Sequence, residues 1–126
     1  METTNFKHGT TDAMACSCCG KGTPTLATLM IAEEVRAHFD AAVFISSGPR
    51  CTIHNKAVGG SKQSSHLIDE NGEADAIDIS VAGTAPTKVH EFLKSRPYAS
   101  SIGLGLYIEK KFVHVDVRGY AARWRG

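Results

Sequence analysis

The sequence predicts an α+β domain, a small antiparallel sheet with flanking helices. Three observations point there. Apolar residues recur at helical spacing in two separate segments. Short runs with period-two alternation lie between and after them. The order is helix, strands, helix, hairpin, so helices and strands do not alternate as βαβ units.

Residues 1–23 read as an irregular, cysteine-containing entry. The segment 25–41, TLATLMIAEEVRAHFDA, reads as an amphipathic helix. Ala27, Ile31, Val35 and Phe39 form its stripe, with Glu33, Glu34 and Arg36 off it. AVFIS, 42–46, reads as a buried strand. Residues 47–67, SGPRCTIHNKAVGGSKQSSHL, are polar and glycine-rich and predict a long loop. ADAIDISV, 74–81, is the next strand, with Ala74, Ala76, Asp78 and Ser80 on one face and Asp75, Ile77, Ile79 and Val81 on the other. APTKVHEFLKSR, 85–96, predicts a second helix, with Val89, Phe92 and Leu93 inward and Pro97 as its stop. GLGLYI and FVHVDV then form a hairpin through Glu109-Lys110-Lys111.

The chain of 126 residues suits one domain spanning 1–126. A formal net charge of +1 argues against a nucleic-acid protein held by bulk charge. Arg118, Arg123 and Arg125 read as a solvated basic tail. No apolar run approaches the ~20 residues that cross a bilayer. The polar start METTNFKHGTTD lacks the apolar centre of a secretory signal, which leaves a cytosolic chain, a trimmed one, or another route out of the cell. Cys16, Cys18 and Cys19 cluster, and Cys51 is distant. A disulfide from Cys51 to the cluster, free thiols and a metal knob all stay open.

His114 and Asp116 project from one face of FVHVDV, opposite three valines. They are either polar residues facing water or a working pair. His66 closes the long loop, and Asp78 stands on the strand that follows. Two imidazoles and a carboxylate suit zinc with an open position for water. Such a metal lowers the pKa of its water from about 15.7 toward ~7. Asp116 is then placed to accept or orient the proton.

Several fragments, in order, carry a resemblance: Ser-Gly-x-Arg at 47–50, Asn-x-x-Val-Gly-Gly at 55–60, Ser-x-His at 64–66, Ala-x-Asp-Ile at 76–79 and Phe-Val-His-x-Asp at 112–116. Together they resemble the zinc metallopeptidases of the D-alanyl-D-alanine carboxypeptidase and murein endopeptidase superfamily, whose fold hedgehog domains share. ACSCCGKG resembles the cysteine-bearing entry of some phage members, and the His-x-Asp end resembles the short phage and bacterial forms. The resemblance implies a Zn2+ cofactor held by His66, Asp78 and His114. It implies that Arg50 holds the substrate carbonyl or its oxyanion, and that Ser64 helps bind substrate. Asp116 matches the acidic partner of the last histidine. Tyr107 and Trp124 become candidate groove walls. The implied function is hydrolysis of peptidoglycan stem or cross-bridge peptides, for lysis or remodelling of the bacterial cell wall. The implied partner is the peptidoglycan peptide, met by a monomer, with neither nucleic acid nor membrane. A non-catalytic peptidoglycan-binding or virion-structural module on the same fold is the rival.

Two departures stand out. The relatives' aspartate follows the first histidine at a shorter spacing, which here falls on Glu73. Asp69 and Asp75 are also near, while AIDI favours Asp78. Relatives with Glu-x-x-His have a base where this chain has Lys111, so Asp116 becomes the expected base by elimination. His8, His38 and His90 read as bland. His54, in the loop, stands nearest the expected cleft.

Overall fold

In a computed structural model, residues 22–60 and 64–126 are described. The expected entry with Cys16, Cys18 and Cys19, and so any pairing of Cys51 with it, lies outside the described residues. The chain runs β1 (Thr23–Pro24), α1 (Leu26–Phe39), β2 (Val43–Ser47), α2 (Thr52–Ala57), β3 (Glu73–Ala74), β4 (Ala76–Val81), α3 (Pro86–Lys94), a 3-10 turn (Pro97–Ser101), β5 (Gly103–Tyr107), β6 (Phe112–Asp116) and β7 (Ala122–Arg125). The architecture is α+β. Among the described residues no helix is long and apolar enough to cross a membrane.

Thr25 starts α1 by accepting the amide of Thr28 at its hydroxyl. This satisfies one of the unpaired first-turn donors. Asp40 ends the helix in the left-handed region, at φ 48°. The inward stripe is Thr28, Ile31, Ala32 and Val35, turned slightly from the expected one, so that Ala27 is exposed. Proline stands in the first turn of α3, where its missing N–H costs nothing. Val89 and Leu93 are its buried anchors.

The main sheet has the order β2-β4-β6-β5-β7. The first four strands pair antiparallel as expected, whereas β7 pairs parallel to β5. That edge strand falls in the supposed basic tail, where ARWR is too short and too charged to signal a strand. Ile77, Ile79, Val113 and Val115 are fully buried on one face, with Ile45, Leu104 and the inner sides of α1 and α3 completing the core.

Two corrections concern the long loop and the strand after it. Residues 52–57 form the short helix α2 where only loop is expected. The strand expected at 74–81 splits around exposed Asp75 into β3, which pairs parallel with β1, and β4 in the main sheet. Asp69 makes the polar excursion before β3 a tight turn. Its carboxylate accepts the amides of Asn71 and Glu73, and Gly72 takes φ 78°.

Candidate metal centre

β4 and β6 pair with Asp78 directly opposite His114. Strand alternation turns both side chains away from the core. β2 reaches the same point through a bulge, because Ile45 faces Ile79 yet Ser47 faces Asp78. The extra residue re-aims the strand end. Gly48 follows it, and its carbonyl accepts from His66 Nδ1 at 2.8 Å. His66 itself is held by backbone pairing with the start of the loop. Arg50 N donates to His66 O at 2.7 Å, and Ile68 N to Arg50 O at 2.9 Å. Ser64 Oγ accepts the His66 amide.

The result is a tight cluster. His66 Nε2 lies 3.2 Å from both Asp78 Oδ1 and His114 Nδ1, and His114 Nδ1 lies 2.9 Å from Asp78 Oδ1. All three residues are buried. The outer ring nitrogens decide what faces inward. His66 Nδ1 meets a carbonyl, which can only accept, so this nitrogen carries the proton. His114 Nε2 meets Asp116 Oδ2 at 2.7 Å. Burial alone would raise the Asp116 pKa, but hydrogen bonds from Arg118 and His114, and their charge, hold it well below the usual carboxylate range. Asp116 therefore accepts as well, and His114 carries its proton on Nε2. In that tautomer the two inward lone pairs and a carboxylate oxygen converge. Three acceptors with no donor between them repel one another unless a cation sits there. The donor set, two imidazoles and one carboxylate, fits zinc.

Protons answer the same conflict. Burial pushes the Asp78 pKa up, but the hydrogen bonds from His114 and His66 prevail and lower it to about 2. Burial pulls His114 down, and the bonds to Asp116 and Asp78 overcome that and raise it.

The expected site residues divide clearly. His66, Asp78 and His114 come together, while Asp69, Glu73 and Asp75 stay outside the cluster. Arg50 lies beside it, with Nη2 4.0 Å from Asp78 Oδ2, Nε donating to Ser47 Oγ and Nη1 to Asn55 Oδ1. Ser64, Tyr107 and Trp124 line the same cleft of ≈ 640 Å³, and Trp124 Nε1 donates to Tyr107 Oη at 3.0 Å. Asp116 does not have the position expected of a base. It is fully buried, it faces the ring nitrogen of His114 turned away from the cluster, and Arg118 grips both its oxygens at 2.7 Å. It is bonded to His114 and Arg118 and does not open onto the cleft. The His54 side chain lies outside the described residues. His38 stacks on Phe92 and His90 is half-buried, both remote from the cluster.

The contacts of Arg118, Asn55 and Gly48 escape the sequence reading, although Asn55 and Gly48 stand in its motifs. A signal for Arg118 was present in the glycines of GLGLY. Gly103 and Gly105 stand opposite Asp116 and His114. A Cβ at Gly103 would lie 2.6 Å from Arg118 Nε, and one at Gly105 2.4 Å from Trp124 Nε1. Two glycines on one strand face mark the space these side chains occupy. Arg123 is no solvated tail either, since it donates to the carbonyls of Ala99, Ile102 and Ala122.

A family model described as Peptidase M15 matches residues 3–116. The chain belongs to the peptidase M15 family. M15 peptidases are metallopeptidases, in general zinc-dependent, and the buried His-Asp-His group of this M15 chain is the place where a metal could be held. The match ends on Asp116, so it includes all three candidate ligands but leaves Arg118, Tyr120 and Trp124 beyond it. Comparison with curated proteins and with solved structures found no significant match.

Proposed function

We propose that this M15 chain is a zinc-dependent peptidase that hydrolyses stem or cross-bridge peptides of bacterial peptidoglycan and so acts on the cell wall. The observation that carries the reading is the convergence of two imidazole nitrogens and a carboxylate oxygen on one point in an open cleft, with both outer imidazole nitrogens tied. Bound there, zinc supplies Lewis acidity toward a peptide carbonyl and acidifies a water. The chain's own residues supply the rest. His66, Asp78 and His114 would hold the ion. Arg50, braced by Ser47 and Asn55, directs a fixed positive fork at the oxygen on which negative charge develops. Tyr107 accepts from Trp124, which leaves its own hydroxyl proton for a substrate acceptor. Tyr120 and Trp124 offer a wall on which peptide can lie.

One observation favours the non-catalytic alternative, a peptidoglycan-binding module on the same fold. Among the described residues lining the cleft, Asp78 is the only carboxylate, and it belongs to the cluster. Among the described lining residues no second carboxylate stands ready as a base. Digestion of purified peptidoglycan with zinc, and again with a chelator, tests both readings by mass spectrometry of the products. Peptide fragments that vanish with chelator support the peptidase and name the bond. Intact peptidoglycan, retained by folded, zinc-loaded protein, supports the binding module.

A further inference from the structure

Arg118 is where the ligand cluster and the cleft wall meet. Its Nε donates to Asp116 Oδ1 and its Nη2 to Asp116 Oδ2, both at 2.7 Å. Asp116 Oδ2 also accepts from His114 Nε2 at 2.7 Å. Asp116 has no exposed surface, so water cannot replace either partner. The other side of Arg118 faces the cleft. Its guanidinium stands 5.1 Å from the Trp124 ring centroid and 5.6 Å from that of Tyr120. The Trp124 ring in turn lies 5.1 Å from His114. Space for the fork is built in at Gly103, where a Cβ would come within 2.6 Å of Arg118 Nε and 2.7 Å of Asp116 Oδ1.

The geometry has a physical purpose. The second torsions of histidine and aspartate are broad and weakly held. One oxygen touching Nε2 sets a direction for the imidazole but leaves the carboxylate free to swing. A guanidinium bound to both oxygens fixes the plane of that carboxylate. The plane fixes the ring, and the ring aims Nδ1 at His66 Nε2 and Asp78 Oδ1.

We propose that Arg118 is a positioning residue for the metal ligand His114, acting through Asp116, and the joint between that ligand and the aromatic wall of the cleft. The inference rests on the metal reading above and is independent of which peptide is cut. Lysine at this position keeps the charge but cannot hold two oxygens in one plane. Glutamine loses the charge as well.

The test uses the full chain as wild type, Arg118→Lys, Arg118→Gln and Gly103→Ala, the last keeping every donor while crowding the fork. Zinc affinity is read by competition with a chromophoric chelator. Ligand geometry is read from the visible absorption of the cobalt(II)-loaded protein. Circular dichroism and metal-free melting monitor folding. Arg118→Gln is expected to bind zinc roughly 10–100-fold more weakly, the range typical of lost outer-sphere partners. Arg118→Lys should fall between it and wild type, and the cobalt band should change in all three variants. If Arg118→Gln fails to fold, Arg118→Lys and Gly103→Ala decide. Wild-type zinc affinity and an unchanged cobalt spectrum in those two variants overturn the proposal while leaving the metal reading intact. A wild type that takes up neither metal overturns both.

Discussion

The central strands β4 and β6 have two faces, both buried and held by different physics. On one, Ile77, Ile79, Val113 and Val115 are fully covered by apolar neighbours. On the other, Asp78, His114 and Asp116 are almost as deeply covered, at 6, 9 and 0% exposure. The apolar face gains free energy from each methyl removed from water, and no single contact is essential. The polar face is stable only when each group finds its partner, because an unpaired buried charge is costly. One face tolerates substitution with graded loss. The other is a chain of dependencies from Arg118 through Asp116 and His114 to Asp78 and His66.

The contrast can be broken most severely at the candidate ligands. His66→Ala, Asp78→Ala or His114→Ala should each abolish stoichiometric zinc and, with it, hydrolysis. Metal content after gel filtration, alongside a peptidoglycan digest, measures this. A variant that still carries one zinc per chain would remove that residue from the ligand set.

Asp116→Asn comes next. It leaves Arg118 without its counter-charge and offers His114 Nε2 an amide that can present a donor. Zinc should bind about 10–100-fold more weakly. Stability should drop by about 1–3 kcal/mol, as for other buried partners left unmatched. Chelator competition and urea unfolding would report the two effects separately.

The pH dependence sharpens the comparison, because only the polar face titrates. Burial lowers the His114 pKa, but its bonds to Asp116 and Asp78 prevail and raise it. Its contribution is therefore full below the ordinary histidine value of about 6.5 and is lost as pH rises through the raised value. Asp78 and Asp116 are depressed, so their contributions are present above about 3.8 and lost as pH falls toward their folded values. Metal-free protein should thus lose stability at both ends, and added zinc should stabilise more as pH climbs and the His114 proton leaves. Melting curves across pH with and without zinc test this. A zinc-induced shift that does not grow with pH would contradict it.

Smaller effects close the series. Gly105→Ala would place a Cβ 2.4 Å from Trp124 Nε1 and push the ring off the wall. KM should rise several-fold while zinc affinity holds, and fluorescence of the single tryptophan should shift. On the apolar face, Ile79→Val should cost about 0.5–1.5 kcal/mol and leave zinc binding unchanged. A loss of zinc there would mean the two faces are not separate systems.

The two faces also differed in how far they could be read from residues alone. Period two in AIDISV and FVHVDV exposes the apolar face, because alternation is local. The candidate ligands emerged from ordered motifs, since histidine and aspartate spacing is compatible with many arrangements. Asp116 is legible as a candidate, but its partners are not. Nothing within FVHVDV says which oxygen meets which nitrogen, and its partner Arg118 sits in a stretch whose charges resemble a solvated tail. β7 was hidden for the same reason, as its place comes from pairing with β5 rather than from its own pattern. The short helix α2 lies under Arg50, where Asn55 is buried and bonds the guanidinium. Its polar composition alone suggests only loop.

The parallel pairing of β7 with β5 has a consequence for how this cleft can change. Gly103, Leu104, Gly105 and Leu106 meet Ala122, Arg123, Trp124 and Arg125 in register, and Gly105 leaves the room that the Trp124 ring occupies. Trp124 hangs on that edge like an interchangeable blade, while the three ligand positions are carried by other elements. Replacing the residues of β7 would re-cut the mouth of the cleft, and the Trp124 ring beside His114 is the point at which such a change would reach the floor.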